Sequence, residues 1–259
     1  MGNFFKLGEN FAFENPMGTF SLWHFFVLFL TVIFAVYTVW DYRRSSDKAR
    51  YRRRLAVFIL LVVLSRHVVE AVTGQYTVHR LPLHLCTVGA FVKLFDAYYE
   101  NRYTKEILFL ITLPAAFIAN VFPDWTHQPL INFNTWQQFL FHALLVNYVL
   151  MRLFTGEIKP HIKRMWVPIA SLALSIPIML GINSFLGTNF FFVSTYSPNS
   201  PLEAIYAQFG SNLYLPVFLL VVIFLFFIIY SLLGIYRISE AMLANNKHES
   251  QVLTDHFTH

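Results

Sequence analysis

The chain has 259 residues, 56% of them hydrophobic and only 13% charged, with 29 phenylalanines and a mean hydropathy of +0.52. A water-soluble globule of that balance has too few polar side chains to cover itself, and the same balance excludes disorder. One cysteine rules out an internal disulfide framework and a multi-cysteine zinc site. The net charge of +5 is better explained by a bilayer than by nucleic acid, because of where the charges fall.

A spanning helix needs roughly 20 mostly apolar residues. Seven segments qualify in chain order: Phe20 to Trp40, Leu55 to Val72, Leu81 to Tyr98, Glu106 to Phe122, Phe133 to Phe154, Trp166 to Leu186 and Leu213 to Tyr236. The second opens apolar and ends polar, as SRHVVEAV. The third and fourth are short and hold polar residues. The seventh carries the greasiest run, VFLLVVIFLFFIIY. The predicted fold class is therefore all-α, a polytopic bundle of seven transmembrane helices forming a single integral membrane domain over 1–259.

Lysine and arginine set the orientation. The connection DYRRSSDKARYRRR, 41–54, holds seven basic residues. Those after the third and fifth segments hold Arg102 and Lys105, and Lys159, Lys163 and Arg164; the tail holds Arg237 and Lys247. The opposite face has only Lys6 and Arg80, and 123–132 and 187–212 have none. Every second connection is basic, which places the N-terminus outside and the C-terminus in the cytoplasm of a multi-pass membrane protein. The 41–54 stretch reads as a topology signal on anionic lipid. The first 18 residues lack the pattern of a cleaved signal peptide.

That topology sorts the polar residues by depth. Arg66, His67 and Glu70 fall in the outer half of the second segment, and His84 and Cys86 near the outer end of the third. Asn120, Gln137, Gln138, His142, Asn183, Asn212 and Tyr214 reach the same level from the other segments. Ionisable groups at the middle of a span cost about 2.5–3.5 kcal/mol on insertion scales, so such a layer marks either a site or a polar network holding helices together. Toward the inside, Lys93 and Asp96 are spaced to pair, with Glu100 one turn on. Trp23, Trp40, Trp125, Trp136 and Trp166 lie near segment ends, as an interfacial belt does. The connection 187–212 is long enough for a lid or re-entrant segment, or for an ordinary covering loop.

Within LPLHLC, 81–86, Pro82 suits a first helical turn and places Cys86 about one turn in, where the positive end of a helix acts on a thiol. His84 faces away from Cys86 on such a helix. His142 arrives from another segment at the same depth, and Gln138 one turn above it could fix its tautomer. A Cys–His pair is a nucleophile with its base, the minimum for acyl transfer; a lone Cys as apolar filler and a lone His as polar glue are the plain alternatives.

The helix count, LPLHLC opening a middle helix, His142 within FHALLVNY, and the stretch GTNFFFVSTYSPNSP at 187–201 resemble the YwaF-like bacterial membrane proteins, which share a family with the eukaryotic transmembrane protein 164. The resemblance covers most of 20–236. It implies a lipid acyltransferase in which Cys86 takes the nucleophile position and His142 the base position. The expected function is an intramembrane acyltransferase or acyl-ester hydrolase, with a thioester intermediate on a phospholipid or lysophospholipid. Asn183, Asn120 or backbone N–H groups are candidate oxyanion donors, and Arg66 with His67 would hold a phosphate headgroup. Glu70 and His84 complete the candidate set. No cofactor, metal or nucleic-acid partner is expected. A transporter or small-molecule binder with an outer-facing polar cavity is the rival, in which Arg66, Glu70, Lys93 and Asp96 would line a path; a scaffold without chemistry is the third possibility.

Overall fold

The computed structural model describes residues 4–6 and 13–257. The described residues form seven principal helices: α1 Leu22–Arg44, α2 Lys48–Val72, α3 Leu85–Tyr98, α4 Arg102–Val121, α5 Phe133–Phe154, α6 Trp166–Leu186 and α7 Pro201–Phe257. No strand occurs among the described residues. The chain divides into two compact units, Met1–Phe218 and Leu219–His259, the second consisting of the later part of α7.

Local chemistry explains the helix starts. Ser21, Asp47, Asn101 and Asn132 cap α1, α2, α4 and α5, each accepting a hydrogen bond from a backbone N–H of the first turn. Gly187 closes α6 in the left-handed conformation, φ 65°, which glycine adopts without penalty. In α4 a π turn, Leu108–Thr112, ends two residues before Pro114. Proline has no N–H to continue an α-helical ladder, and the wider turn absorbs the mismatch.

Several boundaries differ from expectation. Helix α2 begins at Lys48 rather than Leu55, carrying most of the basic stretch into the helix. Helix α3 begins at Leu85 rather than Leu81, so Pro82 lies outside it. Helix α7 begins at Pro201 rather than Leu213, with its backbone broken at Gly210 (φ 69°, ψ 176°). Five helices are long and apolar enough to cross a membrane: α1, α2, α4, α6 with its preceding turn, and α7 to Ile235. At 14 residues α3 is about 21 Å long, short of a ~30 Å hydrocarbon core.

Helix α5 is the centre of the first unit, packing against α1, α2, α3 and α4. Fifteen of its 22 residues are buried, including His142, Asn147 and Arg152. Protein, not lipid, surrounds it, which is why its sequence carries polar groups. Helix α1 turns Phe29, Val32 and Val36 outward instead.

An ion network ties the helices together at the opposite end from Cys86 on α3. Arg152, fully buried, reaches Asp96 of α3, Glu100 in the connection after it, and Glu157 beyond α5. Arg52 of α2 reaches Glu100 and Glu157, and Tyr42 of α1 donates to Glu157 at 2.5 Å. Arg52 is thus a structural cation as well as a member of the basic stretch. The expected Lys93–Asp96 ion pair does not form. Asp96 is taken by Arg152, Thr104 and Tyr148, and Lys93 turns the other way, donating to Thr112 at 2.8 Å. A guanidinium offers several directed donors to one carboxylate, which a lysine cannot match.

Candidate active site at the start of α3

His84 is the extended N-cap of α3, and Cys86 is its second helical residue, half-buried. The orientation argument that turned His84 away from Cys86 assumed a helix from Leu81 and does not apply. The His84 ring lies 5.0 Å from Phe190 and its Nε2 is 3.2 Å from the His79 carbonyl.

His142 is buried on α5. Its Nδ1 sits 2.8 Å from the Gln138 carbonyl. A carbonyl can only accept, so Nδ1 carries the proton and Nε2 of the neutral ring keeps its lone pair. The tautomer is therefore set by the backbone of Gln138, not by its side chain. The indole of Trp125 stacks on the imidazole, centroids 5.0 Å apart and planes 11° apart. Trp125 is accordingly a buried wall of the site; Trp23, Trp40, Trp136 and Trp166 are exposed, as belt residues are.

No hydrogen bond joins Cys86 to His142 among the described residues. They share neighbours. The Lys93 charge acts on both, and the Asp124 charge acts on Cys86 and His84, while the adjoining Trp125 covers His142. The connection after α4 thus contributes the indole that covers the base candidate.

On α2, Arg66 Nε donates to Glu70 Oε1 at 2.7 Å, and Arg80 approaches the same oxygen at 3.7 Å. Arg80, in the turn before α3, is a site residue that sequence reasoning left among the topology signals. Its basic character on a face whose only other basic residue is Lys6 was the available clue. Among the described residues Arg66 makes no hydrogen bond through its terminal nitrogens, and its charge acts on His67, His84 and His142. His67 packs its ring 5.7 Å from Tyr76 and leaves Nδ1 buried without a partner.

The two asparagines separate in role. Asn183 spends its whole amide on the loop after α6: Oδ1 accepts from Phe190 N and Thr188 Oγ1, and Nδ2 donates to the Phe190 carbonyl and to Ser194 Oγ. It has no donor left for an oxyanion. The loop it holds contains Phe191 and Phe192 at φ 63° and 53°, a strained pair further anchored by the Tyr214 hydroxyl on the Phe192 carbonyl. Asn120 is buried with its Oδ1 unpartnered, while its backbone carbonyl lies 2.9 Å from His24 Nε2. His24 receives the Phe20 N–H at Nδ1, so its Nε2 donates to Asn120 and the ring is a structural tie that sequence reasoning missed.

Among the described residues, several buried side-chain atoms without a hydrogen-bond partner lie in this layer, His67 Nδ1, Glu70 Oε2, Asn120 Oδ1, Trp125 Nε1 and Gln137 Oε1, and others, on Arg52 and Asn147, lie outside it. Each such group costs about 1–3 kcal/mol. A fold tolerates that where a polar occupant is received. Among the described residues, no group of three or more His, Cys, Asp or Glu is arranged to hold a metal ion.

A family model described as the TMEM164 family matches residues 19–230. No curated protein and no solved structure matches the chain.

Proposed function

Starting from a chain that belongs to the TMEM164 family and is a multi-pass membrane protein, we propose that it is a lipid acyltransferase or acyl-ester hydrolase of the bacterial cell membrane. Its substrates are phospholipids or lysophospholipids. All seven helices belong to the membrane bundle, with the N-terminus outside. The observation that carries the reading is the His142 tautomer, a buried imidazole whose Nδ1–H is held by a backbone carbonyl, leaving Nε2 as a base.

In this reaction His142 Nε2 takes the Cys86 thiol proton. Sγ bonds to the acyl carbon, the ester C–O bond breaks, and the leaving alkoxide recovers the proton from His142. A lysolipid hydroxyl, or water, then gives its proton to His142 and attacks the thioester, which returns the thiol. Asn120 and the unsatisfied N–H groups of the first α3 turn are the oxyanion donors. Arg66 holds the headgroup phosphate with its terminal nitrogens.

Purified protein with a lysophospholipid and an acyl donor tests this. Cys86→Ala, Cys86→Ser and His142→Ala are expected to abolish turnover. Parent-like turnover in all three overturns the mechanism, and substrate uptake that survives Cys86→Ala assigns the chain to transport.

A further inference from the structure

Lys93 is fully buried on α3, and the ion pair expected for it is not made. No carboxylate lies within ion-pair distance of it among the described residues, and the one hydrogen-bond partner of its ammonium there is Thr112 Oγ1, at 2.8 Å. Thr112 in turn donates to the Leu108 carbonyl at 2.9 Å, closing the π turn of α4. A buried cation with two of three protons unused is expensive, and π turns often mark function.

The direction of the side chain identifies what it serves. Cys86, Gly89 and Lys93 lie on one face of α3 at spacings of three and four. Helical side chains lean toward the N-terminus, so Lys93 extends toward Cys86. Gly89 lies between them and keeps the space clear: a Cβ there would stand 3.8 Å from Lys93 Nζ and 3.2 Å from Thr112 Cγ2. The charges that act on Cys86 are Lys93 and Asp124, Lys93 the more strongly. Those that act on Lys93 are Cys86 and Asp96. Asp96 is occupied by Arg152. The other charged or titratable groups brought to α3 by its neighbours are Arg66 and Glu70 from α2 and His142, Tyr148 and Arg152 from α5.

We propose that Lys93 is the counter-charge for the Cys86 thiolate, a positioning residue parked on Thr112 and offered to the sulfur across the Gly89 gap. The inference rests on Cys86 being the nucleophile. A thiolate formed in a half-buried, low-dielectric setting is costly without an adjacent cation. When the Cys86 proton passes to His142, Lys93 supplies the positive charge that stays beside the sulfur. It takes up no proton and forms no covalent bond. The proton returns from His142 to the leaving alkoxide as the thioester forms.

Cys86 is the only thiol in the chain, so alkylation of the intact protein reports on it alone. The full-length protein in detergent is treated with N-ethylmaleimide across a range of pH and followed by intact mass. Lys93→Met is expected to slow alkylation at neutral pH about tenfold and to displace the pH profile to the alkaline side, because only the thiolate reacts. Thr112→Val keeps the charge but frees it from its anchor, and is expected to speed alkylation. A loosened structure would speed both. Parent-like profiles, or acceleration in both variants, overturn the proposal; if Lys93→Met does not fold, an unaccelerated Thr112→Val overturns it. No acyl substrate enters this assay. A shifted profile without turnover therefore defeats the acyl-transfer reading alone, and turnover with an unshifted profile defeats the Lys93 role alone.

Discussion

Trp125 and His142 lie face to face, their ring centroids 5.0 Å apart and their planes within 11°. Trp125 also meets Phe139 edge-on at 5.2 Å, and both belong to a small buried cluster with Met17 and Val27. The base candidate is thus held on one side by a backbone carbonyl and on one face by an indole. Trp125→Ala should lower thermal stability in detergent by about 3–5 kcal/mol and reduce acyl turnover with it. Trp125→Phe, which keeps a stacking surface, should restore most of both.

The source of the His142 hydrogen bond makes a sharper distinction. Because the Gln138 backbone carbonyl is the acceptor, Gln138→Ala should leave turnover within about twofold of the parent, whereas His142→Ala should cost about a hundredfold or more. Kinetics of the two variants side by side would check this. A collapse in Gln138→Ala would mean that its side chain matters after all.

Arg152 is the hub of the charged network, and its loss leaves Asp96, Glu100 and Glu157 with one cation fewer. Arg152→Ala should destabilise the protein by about 3–5 kcal/mol, since removing one partner strands buried charge. Combining it with Asp96→Asn should recover part of the loss. Thermal unfolding of the single and double variants measures the coupling.

Glu100, in the connection between α3 and α4, gives the network its acid sensitivity. Burial alone would raise its carboxyl, but Lys105, Arg52 and Arg152 outweigh burial and hold it below the ordinary value of 4.5. A carboxylate depressed in the folded state adds stability that is complete above its unfolded value and is lost as pH falls through its folded one. Stability should therefore fall as the pH drops below about 4.5, and Glu100→Gln should flatten that decline. Unfolding midpoints across pH 3 to 7, read on both proteins, test the sign; the window follows from the ordinary glutamate range.

Asn183 anchors the loop after α6 through four hydrogen bonds. Asn183→Ala leaves the Phe190 N–H and its neighbours unmet and should cost about 1–3 kcal/mol. Faster amide exchange confined to 187–195 is the expected signature.

The chain announced some of this and concealed the rest for physical reasons. Apolar length revealed α1, α2, α6 and α7, because lipid-facing surfaces must be apolar wherever they lie. The start of α3 was misplaced because Pro82 fits a first helical turn as well as the turn before one. Arg152 drew no notice, since one arginine near a helix end resembles a snorkelling residue until its three carboxylates are seen. Lys93 and Asp96 had the spacing of a pair, but spacing on one helix says nothing of what a second helix brings. Trp125 looked interfacial because position along the chain does not reveal burial. Cys86 and His142 were nominated as candidates by chemistry and resemblance together; the carbonyl that sets the tautomer of His142 has no sequence signature.

The burial of α5 has a consequence for how the molecule is made. A segment with Gln137, His142, Asn147 and Arg152 has little affinity for hydrocarbon. Helices α1, α2 and α4 are synthesised first, and each can enter the bilayer unaided. The place of α5 is therefore set by the protein surfaces that α1, α2, α3 and α4 present to it, more than by its own affinity for lipid.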